Sequence, residues 1–176
     1  MKSRIVILLS VTLAALLLVV GVVPKAMPTS PVLAQIIYDY QYVVPFTCGT
    51  AVDEKEGVKP ANYCTTVTIH NPQWCSAVIQ WKVAKAFPNP MRISGFIVTS
   101  LAPDFTLCIR CKQICPKLGM AFPPPRYITG FVVIQSDEAL DVYGVYTAAV
   151  VGAQGTEEVS VDLEHIPASI ESDCHG

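Results

Sequence analysis

The chain has 176 residues with 12 basic and 14 acidic side chains, a formal charge of −2, which allows one domain once an N-terminal leader is set aside. The leader, residues 1–34, holds three of the basic residues and no acidic one, so nine basic and 14 acidic side chains, net −5, remain over 142 residues. A mildly acidic domain of that size has no positive field with which to hold nucleic acid or an anionic membrane surface.

Lys2 and Arg4 begin the leader, and Ile5 to Val23 is uncharged and almost wholly apolar. Val32-Leu33-Ala34 then offers the small or short side chains that a signal peptidase reads, after an extended stretch from Pro24 to Pro31. The expectation is a signal peptide cleaved after Ala34. The 19-residue apolar run also suffices to span a bilayer as a helix, and an uncleaved anchor is the alternative. Either reading makes the domain extracytoplasmic (secreted, periplasmic or at the cell surface), with the membrane touched only through an uncleaved leader.

Beyond the leader the pattern has a period of two, as in half-buried strands. Tyr38, Tyr40, Tyr42 and Val44 share one face; Thr65, Val67 and Ile69 share another, and Ile79, Trp81 and Val83 a third. Phe131 to Ile134 is apolar throughout, the pattern of a central strand covered on both faces. Leu140, Val142, Gly144 and Tyr146 form the next face, and Val159, Val161 and Leu163 the last. Asn71-Pro72-Gln73 separates the second and third strands, and Ser136-Asp137-Glu138 divides an expected hairpin. Further breaks fall at Pro88-Asn89-Pro90, at Ala102-Pro103-Asp104 and from Gly152 to Gly155. Outside the leader no segment shows a helical period. Six to eight short strands predict an all-β, two-layer antiparallel sandwich, immunoglobulin-like or similar, over residues 36–167, followed by a tail at 168–176.

One region departs from this rhythm. Cys111 to Tyr127 contains Pro116, Gly119 and Pro123-Pro124-Pro125, with Arg110, Lys112, Lys117 and Arg126 around them. Prolines in a row do not fit within a sheet, so a long surface loop is expected. It is either a solvated connection or a binding surface.

Seven cysteines (Cys48, Cys64, Cys75, Cys108, Cys111, Cys115 and Cys174) point to a disulfide-supported domain in an oxidising compartment. Seven is odd, and Cys174 in the tail is the candidate free or intermolecular thiol, with a cross-linked homo-oligomer as one consequence. The other six allow fifteen connectivities. The spacing of Cys108, Cys111 and Cys115 also permits a metal-binding or thiol-redox alternative, with Cys174, His175 or His70 as a fourth zinc ligand.

Nothing in the sequence marks a catalytic centre: no Gly-x-Ser-x-Gly elbow, no glycine-rich phosphate loop and no zinc-protease helix occurs. His70 reads as an exposed strand-end residue. Trp74, Trp81 and the Tyr38/Tyr40/Tyr42 stripe supply candidates for an aromatic sugar-binding platform, with Trp81 placed in the core by its alignment with Ile79 and Val83.

The blocks Phe46-Thr-Cys-Gly, Val58-Lys-Pro-Ala-Asn-Tyr63 through Ile69-His-Asn-Pro72, and Gly130-Phe-Val-Val-Ile-Gln-Ser136 through Thr147 resemble an uncharacterised family of bacterial exported proteins. The resemblance implies a shared disulfide between Cys48 and Cys111, with Cys64, Cys75, Cys108 and Cys115 as additions. A fainter similarity, to the small β-sandwich sensory-rhodopsin transducer proteins, favours a sandwich. The expected function is non-enzymatic binding or surface assembly without a cofactor, through a sheet face, Trp74, or the basic residues of the 111–127 segment. The partner is an unidentified protein or carbohydrate.

Overall fold

In the computed structural model, residues 37–54, 58–88, 92–151 and 157–170 are described. They form ten antiparallel strands and one short helix. The strands are β1 (Tyr40–Ala51), β2 (Ala61–His70), β3 (Ala77–Phe87), β4 (Arg92–Ile93), β5 (Ile97–Leu101), β6 (Thr106–Arg110), β7 (Ile128–Ser136), β8 (Asp141–Val151), β9 (Glu157–His165) and β10 (Ser169–Ile170); the helix, α1, is Cys111–Lys117. In one layer β4 and β5 lie beside β3, followed by β7, β1 and β10. In the other, β6 precedes β2, β8 and β9. The expected leader helix and Cys174 lie outside the described residues.

Strand β1 belongs to both layers. Its residues Tyr40–Cys48 pair with β7, and Gly49–Ala51 pair with β2. The crossing occurs at Gly49, whose φ of +99° is left-handed and whose Cβ, if present, would meet the Arg126 carbonyl oxygen at 2.6 Å. Pro45, opposite Phe131, lies in the stretch of β1 paired only on its β7 side, where its missing N–H costs no ladder bond.

The period-two faces of β1, β2, β3 and β7 converge on one core, whereas the Val159, Val161 and Leu163 face of β9 is exposed. Tyr42, Val44 and Phe46 from β1, Val67 and Ile69 from β2, Ile79 and Val83 from β3, and Val132 and Ile134 from β7 are all fully or almost fully buried. Trp81 joins them at 7% exposure. The hydroxyl oxygen of buried Tyr42 accepts the Leu140 N–H at 2.7 Å, tying β1 to the start of β8. Buried Asn71 ties one end of the sandwich together. Its side-chain amide donates to the carbonyls of Cys75 (2.8 Å) and Leu101 (2.9 Å), and its side-chain oxygen accepts from Gln73 N–H. The Ile69-His-Asn-Pro72 block therefore joins the β2–β3 turn to the end of β5.

Several expectations are corrected. The segment after Cys111 begins with a helix. Cys111, Ile114, Cys115 and Leu118 fall at i, i+3, i+4 and i+7, one face of a helix, and are buried, so the helix covers an open side of the core. Pro116 falls in its last turn, which ends at Leu118. Its ring removes a bond where the helix is stopping. Ser136–Glu138 does not turn a hairpin: β7 pairs with β1 and β3 while β8 pairs with β2 and β9, so this connection crosses between layers. β7 is central in its sheet but covered on one face only, leaving Phe131 44% exposed. β4, β5, β6 and β10 are additional strands; β5 and β6 flank the predicted break at Ala102-Pro103-Asp104.

Candidate functional site

The sandwich has two ends, and sequence-selected residues are distributed between them. Trp74, in the β2–β3 turn, is 98% exposed. It stands at the end that Asn71 organises. Arg110, Lys112, Lys117 and Arg126 are exposed on and around α1. Because β6 runs antiparallel to β2, with Thr106 opposite His70 and Arg110 opposite Thr66, α1 starts toward the other end. Trp74 and the basic residues therefore do not form one surface. Nor do the aromatics expected to make a platform: Tyr42 and Trp81 are in the core.

The sulfurs are also sorted by the fold. Cys48 and Cys111 form a disulfide with Cα atoms 5.7 Å apart, the pairing implied by the family resemblance. Cys64, Cys75, Cys108 and Cys115 carry free thiols in this structure, so Cys48–Cys111 is the one bridge among the described residues. Cys75 sits exposed beside Glu138, its Sγ 3.4 Å from a carboxylate oxygen, and the hydrogen bond to Glu138 raises its pKa. Cys108 lies opposite Thr68, on the face of β6 away from the core. The Cys108/Cys111/Cys115 metal reading fails on this geometry, because strand alternation turns Cys108 outward while Cys111 and Cys115 enter the core and Cys111 is already bonded to Cys48. Among the described residues no group of three or more potential ligands converges. His70 is half-buried and 3.3 Å from the Asp141 carboxylate across β2 and β8.

One concavity among the described residues was not selected from the sequence. It lies between the β1–β2 connection and the β8–β9 hairpin. A cavity of ≈ 600 Å³ is lined by Glu54, Lys59, Pro60, Tyr63, Ala148, Val150 and Ser160. A second, of ≈ 230 Å³, shares Tyr63, Ala148 and Ser160 with it and adds Tyr127, Tyr146 and Asp162. The shared walls make them one groove. Tyr63 ends the β1–β2 pairing opposite Gly49, and its hydroxyl donates to the Lys59 carbonyl at 2.7 Å. Its ring stands edge-on to Tyr127, with centroids 5.2 Å apart. Tyr127, buried, precedes β7.

Tyr146 reaches the groove because Gly144, on the same face of β8, leaves its ring room. A Cβ on Gly144 would lie 2.5 Å from the Tyr146 hydroxyl oxygen. That hydroxyl donates to Glu164 at 3.2 Å. Burial first, then the negative charge of Glu164 and that of Asp162, push the Tyr146 pKa upward, so the phenol stays a neutral donor. Three tyrosines from distant parts of the chain thus stand with carboxylates and a serine around open space. The alternation at Leu140–Tyr146 marked Tyr146 as facing one way, but nothing in the sequence paired it with Tyr63.

A third cleft, of ≈ 230 Å³, also touches Tyr63. It is walled by Phe122, Pro123 and Pro124 and floored by Cys64 and Cys111.

No helix among the described residues is long and apolar enough to cross a membrane. No protein-family model matches the chain, and no curated protein matches it. Among solved structures it is similar to the crystal structure of Thermotoga maritima 1070, with 12% identity, a TM-score of 0.42, and coverage of 77% of this chain and 97% of that one.

Proposed function

We propose that this chain is an exported, non-enzymatic β-sandwich binding protein whose groove at Tyr63, Tyr127 and Tyr146 takes a carbohydrate. The observation that carries the reading is the convergence of these tyrosines on one open groove beside Asp162, Ser160 and Glu54. Aromatic faces pack against the C–H faces of a sugar ring, while carboxylates and hydroxyls exchange hydrogen bonds with its hydroxyl groups. The size of the larger cavity suits a ligand of a few rings. The Cys48–Cys111 disulfide supports export, since such bonds persist outside the reducing cytoplasm. The apolar leader and the resemblance to exported bacterial proteins support it independently.

The test is titration calorimetry of the exported protein against soluble fragments of cell-surface polysaccharide. Tyr63→Ala is expected to weaken binding about tenfold or more, the loss typical of truncating an aromatic anchor. Trp74→Ala, at the opposite end, is expected to leave it unchanged. Equal binding by wild type and Tyr63→Ala, or none by wild type, would remove the groove from consideration. Export is checked separately, by an N-terminus at Gln35 on protein recovered outside the cytoplasm.

A further inference from the structure

The corner where β1 passes between layers gathers four sulfurs. Cys48 and Cys111 are bonded there. The sulfurs of Cys64 and Cys111 lie against the same carbonyl oxygen, that of Thr65, at 3.8 and 3.7 Å. Cys115 follows Cys111 by one helical turn on the same buried face of α1. That helix packs against β2, the strand carrying Cys64. Cys64 packs against the buried cluster that contains Cys111 and Cys115, and burial first, then Cys64, push the Cys115 thiol above its ordinary range. The remaining described thiols have other surroundings, Cys75 beside Glu138 and Cys108 beside Thr68 on the outer sheet face.

We propose that Cys64 and Cys115 are an oxidisable pair that closes a second disulfide beside Cys48–Cys111 and fastens α1 to β2. The oxidant is a small-molecule or protein disulfide. Cys64 is the entry thiol, because it is half-buried and lines the cleft under Phe122–Pro124, whereas Cys115 is fully buried and its thiolate is disfavoured. Cys64 loses its proton and attacks a donor sulfur; the donor S–S bond breaks, one donor thiolate leaves and a mixed disulfide remains. Cys115 then loses its proton and attacks the Cys64 sulfur, forming the new S–S bond as the second donor thiolate leaves. The pair gives up two electrons, and the donor ends as two thiols carrying the two protons. Closing the bond fixes the floor of the cleft.

The full-length protein incubated with glutathione disulfide, quenched with N-ethylmaleimide and digested with trypsin tests this. Cleavage after Lys112 and Lys117 places Cys115 in a peptide of its own, apart from Cys111, while fragment ions distinguish Cys64 from Cys75 within Glu56–Lys82. The expected product joins Cys64 to Cys115, with Cys48–Cys111 intact and two maleimide-reactive thiols lost. Glutathione remaining on Cys64 while Cys115 takes maleimide on unfolding would overturn the proposal, as would Cys64 bonded to Cys48 or Cys111. The readout needs no groove ligand, so it stands or falls apart from the carbohydrate reading.

Discussion

Opening the Cys48–Cys111 bridge is expected to remove a large share of the domain's stability. The two residues are 63 apart in sequence, and closing a loop of that size restricts the unfolded chain by about 4 kcal/mol in the chain-entropy account. Domains of this kind are stable by only about 5–15 kcal/mol. Cys48 and Cys111 are both almost completely buried, against Thr47 and Thr65 and the base of α1, so alanine at both positions also deletes two packed sulfur atoms. Urea unfolding of oxidised wild type, reduced wild type and the Cys48→Ala/Cys111→Ala variant separates the parts. The reduced protein loses the loop-closure contribution alone, and the double variant loses the packing as well. Both are expected to show a larger m-value, because the uncrosslinked chain exposes more surface on unfolding. If reduction shifts the unfolding free energy by less than about 1 kcal/mol, the loop-closure reasoning is wrong for this chain.

Gly130→Ala is expected to destabilise by about 3 kcal/mol or more, since its Cβ would press into the Ala84 carbonyl oxygen and approach the Phe46 ring at 2.7 Å. Gly95→Ala, with nothing within 4 Å of the added atom, is expected to stay within about 0.5 kcal/mol of wild type; thermal unfolding of the two variants checks the contrast. Burial raises the pKa values of Tyr42 and Tyr146 in the folded state. A raised folded pKa contributes stability that is complete below the unfolded value of about 10 and is lost as pH climbs beyond it. Unfolding followed from pH 8 to 12 is therefore expected to show stability falling above about pH 10 through these tyrosines, on top of an earlier fall from the raised thiols of Cys75 and Cys115, with a shallower decline above about pH 10 in Tyr146→Phe. An unchanged slope in that variant would exclude Tyr146 as a contributor.

The alternation of side chains by itself determines most of the architecture. Tyr42 and Val44, Val67 and Ile69, and Ile79, Trp81 and Val83 face inward because a strand turns every second side chain to one face, a local property of the backbone. Trp81 lies in the core for that reason. The Cys48–Cys111 pairing was implied only by the resemblance to a family of exported proteins, because spacing alone leaves fifteen connectivities open. What the chain does between layers had no local signature. A crossing at Ser136–Glu138 uses the same turn residues as a hairpin, and the choice depends on which strands already occupy the neighbouring edges. The helix at Cys111–Lys117 spans about two turns and contains a proline; its stability comes from burying Ile114 and Cys115 against the sheets, which local propensity does not register. The tyrosine groove was decided by tertiary structure alone. Tyr63, Tyr127 and Tyr146 are separated by 19 residues or more, and only the β1 crossing and the β8–β9 hairpin bring them to one space.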